Sequence, residues 1–190
     1  MRNLLYLYNL NHKNKYGQVN SYNLPDNIFH QHLPMKTIEI KTLLRECRYS
    51  QLPEADRKLV DAAKEATKSS YAPYSKFQVG AAILLADGTV VTGSNQENAA
   101  FSSGTCAERS ACFAAGANHK DVPMLKIAIA AWTCGAFQRM PISPCGACRQ
   151  ALLEYEVKQG APIEVLLYGS EKVYVLESIA ALLPLCFTEF

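Results

Sequence analysis

FQVGAAILLADGTVVTGS, Phe77 to Ser94, is the stretch that decides the fold. Phe77 to Leu85 is an apolar run rich in β-branched and small residues, and its length suits a buried strand better than a helix. Ala86-Asp87-Gly88-Thr89 then supplies an Asp-Gly turn, and Val90 to Ser94 runs back as the second arm of a hairpin. A hairpin this apolar needs cover on both faces.

The flanking segments provide that cover. Pro53 suits a first helical position, Glu54 and Asp56 a first turn, and Lys64 and Lys68 a last one. Leu59, Val60, Ala63 and Ala66 give that segment an apolar face, so residues 53–68 are predicted helical. Residues 105–116 are Ala-rich and helical, ending near Gly116. Met124–Trp132 is a further strand, Cys145 to about Val157 a helix behind Pro144, and Pro162–Tyr168 and Val173–Val175 two more strands. A short last helix is expected near Glu177–Leu182. The sum is an α/β chain: a three-layer αβα sandwich around a mixed five-stranded sheet.

The N-terminal part reads differently. Residues 1–34 carry seven Asn, three of the four His and little apolar periodicity, and are expected to be a poorly ordered extension. His12, His30 and His32 are scattered polar residues of that tail, and Met35 is a candidate true start. Residues 35–52 form a lead-in whose Thr37–Lys41 alternates as an added edge strand would. The domain proper is placed at residues 53–190.

A chain of 190 residues with 49% hydrophobic residues supports one core. The net charge of +2 is uneven: residues 1–50 hold seven Lys/Arg against three Asp/Glu, the remainder twelve against fourteen. The folded part therefore lacks the basic stripe that tracks nucleic acid, which favours a small free substrate. No run reaches the roughly eighteen apolar residues of a membrane span. The seven cysteines, an odd number, suit a reducing cytoplasm better than a disulfide scaffold.

Two of the cysteine loci carry the chemistry: Cys106-Ala107-Glu108 and Pro144-Cys145-Gly146-Ala147-Cys148. Cys106, Cys145 and Cys148 can fill three corners of a zinc tetrahedron and leave the fourth for water. Both loci fall at predicted helix N-termini, where the partial positive charge favours thiolate over thiol. Glu108, two residues from a ligand, can reach that water without binding metal and is the candidate proton carrier. Two bland readings compete: Cys-x-x-Cys is also a redox motif, and zinc can be purely structural. Cys47, Cys112, Cys134 and Cys186 lie among apolar residues or in no motif, and buried cysteine as a small hydrophobe is the expectation for them.

From Tyr71 onward the chain resembles a cytidine deaminase of the small, tetrameric, three-cysteine type. The resemblance is carried by YAPYSKFQVGAAILL (Tyr71–Leu85), GSNQENAAF (Gly93–Phe101), TCAERSA (Thr105–Ala111), SPCGACRQALLEY (Ser143–Tyr155) and LLPLCF (Leu182–Phe187). It implies the same sandwich fold and hydrolytic deamination of cytidine and 2′-deoxycytidine in pyrimidine salvage. A relative specialised for another aminopyrimidine nucleoside uses the same motifs. The cofactor implied is one Zn²⁺ per chain, and the assembly a homotetramer with shared active sites. The resemblance assigns Arg109 to bonds with ligand sulfurs, and Asn95 and Glu97 to the ribose hydroxyls. Phe77 is to pack on the nucleoside, and Ala107 to meet the base through its backbone. Phe187 is to reach a neighbouring subunit's site. Phe101 stands where many relatives carry Tyr, and Cys112 where an aliphatic residue is usual.

Overall fold

The computed structural model describes residues 36–188, so the expectations for residues 1–34 and for Met35 lie outside the described residues. The chain divides between Glu39 and Ile40 into two units, and the unit that begins at Ile40 carries the sheet. Among the described residues the strands are β1 (Arg45–Cys47), β2 (Gln78–Leu85), β3 (Val90–Ser94), β4 (Met124–Thr133), β5 (Ala136–Phe137), β6 (Glu164–Tyr168) and β7 (Val173–Leu176). The α-helices with them are α1 (Glu54–Ala66), α2 (Ala107–Asn118) and α3 (Gly146–Gln159).

The sheet runs β1-β7-β6-β4-β2-β3, with β5 folded back on β4. Among these ladders β4 and β6 pair in parallel and the others are antiparallel. The parallel pair is the one bridged by a helix, α3, as a crossover requires. All five predicted strands are present. The count of five needs correcting to seven, because β1 and the two-residue β5 are too short to show a period in sequence. The expected edge strand at Thr37–Lys41 is also displaced. Ile38 and Ile40 stand exposed, and the edge of the sheet is instead Arg45–Cys47, in register with Val173–Val175 of β7.

Strand alternation builds two separate cores. Ala81, Ile83 and Leu85 of β2 pack with Ile127 and Ile129 of β4 against α2 and α3. The intervening Ala82, Ala128 and Ala130 face Leu59, Val60 and Ala63 of α1. Small residues on the α1 face let that helix lie almost on the strands. A Cβ on Gly80 would stand 2.1 Å from the Ala63 carbonyl oxygen. Burying a side chain such as Ile83 or Ile127 stabilises the fold by about 1.5–3 kcal/mol.

Two helix ends depart from expectation. Gly116 does not stop α2, which runs on to Asn118. The glycine is there because the Tyr155 hydroxyl of α3 occupies the space of its missing Cβ, at 2.3 Å. The last helix near Glu177–Leu182 shrinks to a 3₁₀ turn, Ala180–Leu182. Elsewhere the sequence rules hold: Gly160 ends α3 at φ 62°, and Gly88 turns the hairpin at φ 87°.

Beside α1, Lys64 is boxed by aromatic rings. Its ammonium lies 5.2 Å from the Tyr49 ring centre, 5.5 Å from Phe137 and 5.1 Å from Tyr168. Each such contact contributes about 0.5–1 kcal/mol where water has access. The box ties the residues after β1, the short β5 and β6 to one helix.

Candidate functional site

Cys106 and Cys145 occupy the N-cap positions of α2 and α3, and neither sulfur serves as a cap acceptor, which leaves both for other partners. Cys148 lies one turn into α3, buried. The three sulfurs converge: Cys106 Sγ is 3.8 Å from Cys145 Sγ, and Cys145 Sγ is 3.3 Å from Cys148 Sγ. A tetrahedron with Zn–S bonds of about 2.3 Å spaces its sulfurs by about 3.8 Å, so the set fits zinc. No other group of three or more His, Cys, Asp or Glu side chains among the described residues gathers this way.

Electrostatics point the same way. The Cys106 thiol is drawn down to about 5, chiefly by the Cys148 thiol and further by Arg109. Cys148 is held far up by that same Cys106 neighbour and by burial. Three thiolates at this spacing repel one another unless a cation stands among them. A redox dithiol would use Cys145 and Cys148 and leave Cys106 unexplained.

Glu108, on the first turn of α2, is 4% exposed. Burial pushes its carboxyl up, and the nearby Cys106 adds to the shift. Cys148 touches it. A carboxyl with raised affinity for protons beside a metal site is placed to receive one and give it back. Arg109 extends a guanidinium Nη2 to Cys106 Sγ at 3.9 Å, and its Nε is buried without a partner.

In front of Cys106 opens a cavity of about 680 Å³, the size of a small-molecule site. Asn95, Glu97, Cys106 and Arg109 line it, as do Tyr74 and Phe101. The loop that presents Asn95 and Glu97 is stitched on both sides. Gln96 exchanges backbone bonds with Thr105 at 2.9 Å in each direction, and Glu97 N donates to Tyr71 O at 2.8 Å. Asn95 Oδ1 accepts from Val79 N, and its Nδ2 donates to Phe77 O, both at 2.8 Å. Among the described residues its second N–H has no partner.

Glu97 accepts from the backbone N–H groups of Tyr74 and Ser75 at 2.8 and 3.2 Å. Its carboxyl is held below the usual range, the Ser75 side chain leading. Those two amides were beyond sequence reasoning: a backbone donor has no side-chain signature, although both residues lie within the Tyr71–Leu85 block.

Phe77 is half-buried and does not line the cavity, and Ala107 is fully buried. Phe187 is 65% exposed, its carbonyl accepting from Gln150 Nε2 at 2.8 Å. A second cavity of about 240 Å³, lined by His119, Tyr155 and Lys158 at the other ends of α2 and α3, contains none of the predicted site residues.

A mixed sheet between helix layers, with two helix N-termini gathering three thiols, one of them at a cavity wall, and a buried carboxyl on the first turn, fits a zinc hydrolase of the deaminase class. The family described as "Cytidine and deoxycytidylate deaminase zinc-binding region" matches residues 53–161, and the chain belongs to that family. It is 40% identical over 133 residues to a cytidine deaminase from Halalkalibacterium halodurans, covering 68% of this chain and 92% of the relative. Over 99 residues it is 48% identical to a cytidine deaminase from Sporosarcina psychrophila, covering 52% of this chain and 68% of that one. The crystal structure of cytidine deaminase from Burkholderia pseudomallei superposes with a TM-score of 0.58 at 43% identity, covering 68% of this chain and 97% of the other. With this family and these sulfurs, the chain takes one Zn²⁺, and Cys106, Cys145 and Cys148 form a cluster that could hold it.

Proposed function

We propose that this chain hydrolyses cytidine and 2′-deoxycytidine, water entering at C4 and ammonia leaving, to give uridine and 2′-deoxyuridine. The observation that carries the reading is a trio of converging sulfurs of which Cys106, two residues before the buried Glu108, lines a cavity that also bears Asn95 and Glu97. Zinc bound by the three cysteines supplies the Lewis acidity that makes water a nucleophile near neutral pH.

The protein's own groups do the rest. Glu108 takes a proton from the attacking water and delivers it to N3 of the base. It then takes the remaining proton of the new C4 hydroxyl and passes it to the amine, which leaves as ammonia while C4 becomes a carbonyl. Arg109 offsets the charge of the sulfurs. Asn95 and Glu97 hold the ribose hydroxyls, and the anionic Glu97 disfavours a phosphate there, which selects nucleosides over nucleotides. Phe77 positions the nucleoside indirectly, through the carbonyl that anchors Asn95. The Ala107 backbone meets the base.

The enzyme works as a homotetramer in which Phe187 reaches a neighbouring subunit's cavity. Support comes from apolar side chains exposed on the single chain: Phe101 at 99%, Leu185 at 83% and Tyr74 at 61%. Such surface in a lone subunit marks an interface. A cytoplasmic role in pyrimidine salvage fits the seven free cysteines. Among the described residues, no helix is long and apolar enough to cross a membrane.

Ultraviolet monitoring of cytidine and 2′-deoxycytidine with purified protein of measured zinc content tests the reading. Loss of both nucleosides with one zinc per chain is expected. Zinc-loaded protein that leaves both untouched but turns over another aminopyrimidine nucleoside would redirect the substrate assignment.

A further inference from the structure

Arg149 is the first residue after the ligand pair, and each nitrogen of its guanidinium is engaged. Nε donates to the Pro144 carbonyl at 2.8 Å, Nη2 to Ser143 Oγ at 2.9 Å and Nη1 to the Leu182 carbonyl at 2.9 Å. Ser143 and Pro144 lead directly into Cys145. Leu182 closes the 3₁₀ turn that precedes the C-terminal segment. One planar fork thus spans two places that the chain separates by more than thirty residues.

The opposite end of that turn is held from the same helix. Glu156, two turns further along α3, accepts from Ile179 N at 2.8 Å and from Ala180 N at 3.1 Å. Cation on the carbonyl end and carboxylate on the amide end match the polarity of the turn. Gln150, next to Arg149, then takes the Phe187 carbonyl at 2.8 Å. The helix that presents Cys148 therefore also fixes the course of the chain toward Phe187.

We propose that Arg149 is a positioning residue that couples the loop bearing the zinc ligand Cys145 to the C-terminal segment. Metal retention and placement of that segment both depend on its guanidinium. The inference rests on the zinc site and function proposed above. Lysine at this position keeps the charge but cannot hold three acceptors in one plane.

The test uses the full-length, zinc-loaded protein. Arg149→Lys should release zinc to a chromophoric chelator at least about tenfold faster than wild type, in the range that outer partners of metal ligands show. Chymotryptic cleavage between Leu182 and Phe187 should also quicken, and KM should rise by a larger factor than kcat falls. Glu156→Gln, which loosens the turn and the Ile163 amide that leads into β6 but touches nothing at the ligand loop, should quicken cleavage and leave zinc release unchanged. Ser143→Ala removes one acceptor and should speed zinc release by a smaller factor; it decides the matter if Arg149→Lys does not fold. Zinc release at the wild-type rate in Arg149→Lys, or in Ser143→Ala when only that variant folds, would overturn the proposal. So would equal acceleration in Glu156→Gln, which would mean general loosening. Wild-type protein without stoichiometric zinc would overturn the functional reading and this inference with it, whereas unaltered behaviour of a zinc-loaded variant overturns the inference alone.

Discussion

Gly93 of β3 and Ala111 of α2 lie so close that a Cβ on the glycine would stand 2.4 Å from the Ala111 nitrogen and 2.6 Å from the Ala107 carbonyl oxygen. Backbone cannot swing aside as a side-chain tip can. Gly93→Ala must therefore push α2, and with it Cys106 and Glu108, away from the sheet. Overpacking of this kind costs about 1–3 kcal/mol, and contact with backbone places this case near the top of that range. Thermal melting should show a drop of several degrees together with reduced zinc content. An unchanged melting temperature would mean that α2 is not seated as described.

The three sulfurs act as one site. Serine at Cys106, Cys145 or Cys148 should remove zinc and activity together and lower thermal stability, since metal binding contributes to folding. Serine at Cys112, whose thiol burial pushes up to about 12, should retain zinc. Metal analysis of the four variants checks this, and full activity in a zinc-free protein would sink the assignment.

Glu108→Gln should keep zinc and fold yet lose about 10²- to 10⁴-fold in turnover, the range for general acid–base catalysis. Glutamine has the same shape and still forms hydrogen bonds, but it cannot take the proton from water. Steady-state kinetics should show kcat falling far more than KM changes. Retention of more than roughly a tenth of wild-type kcat lies outside that range and would move the proton carrier elsewhere.

The cavity loop should respond to acid with a defined sign. Glu97 is held below the usual carboxylate range, first by the Ser75 side chain and then by the Tyr74 and Ser75 amides. A depressed folded pKa contributes stability that is complete above the unfolded value, about 4.3, and is lost as pH falls through the folded one. The melting difference between wild type and Glu97→Gln should therefore stay constant from neutral pH to about pH 5 and close only in stronger acid. A difference that already closes between about pH 7 and pH 6 would show that another group is titrating.

Phe187→Ala should raise KM and weaken assembly. Sedimentation of the wild-type protein should show a tetramer, and a fully active monomer would refute the shared site.

The cysteine cluster was legible in the sequence because thiols are chemically specialised and all three, with the candidate proton carrier Glu108, lie within three residues of a helix start. The hairpin was equally plain, as an apolar run, an Asp-Gly turn and a returning run, whereas the split into two cores was not, because Ala81–Leu85 is apolar at every position. What escaped has a common physical cause. β1 and β5 are shorter than one clear repeat of a pattern, so they leave no periodic trace, and the helix expected near Glu177–Leu182 has length for only a single 3₁₀ turn. Gly116 carried a stop signal by type and turned out to be a contact, because only the folded chain brings Tyr155 to it. The roles of Tyr74 and Ser75 depend on backbone groups that every residue possesses.

The division of β2 between two cores has a consequence for how this gene can change. Gly80 and Ala82 are small, for α1, while Ile83 and Leu85 are larger, for α2 and α3. Loss or gain of one codon within β2 would exchange the two sets, driving large side chains into the backbone of α1 while leaving small ones opposite α2. Substitutions that keep side-chain size can drift in this strand, but Gly80 and the strand's length cannot. Variation in length has to collect at places such as the Asp87–Gly88 tip, where a Cβ on Gly88 would meet nothing within 4 Å.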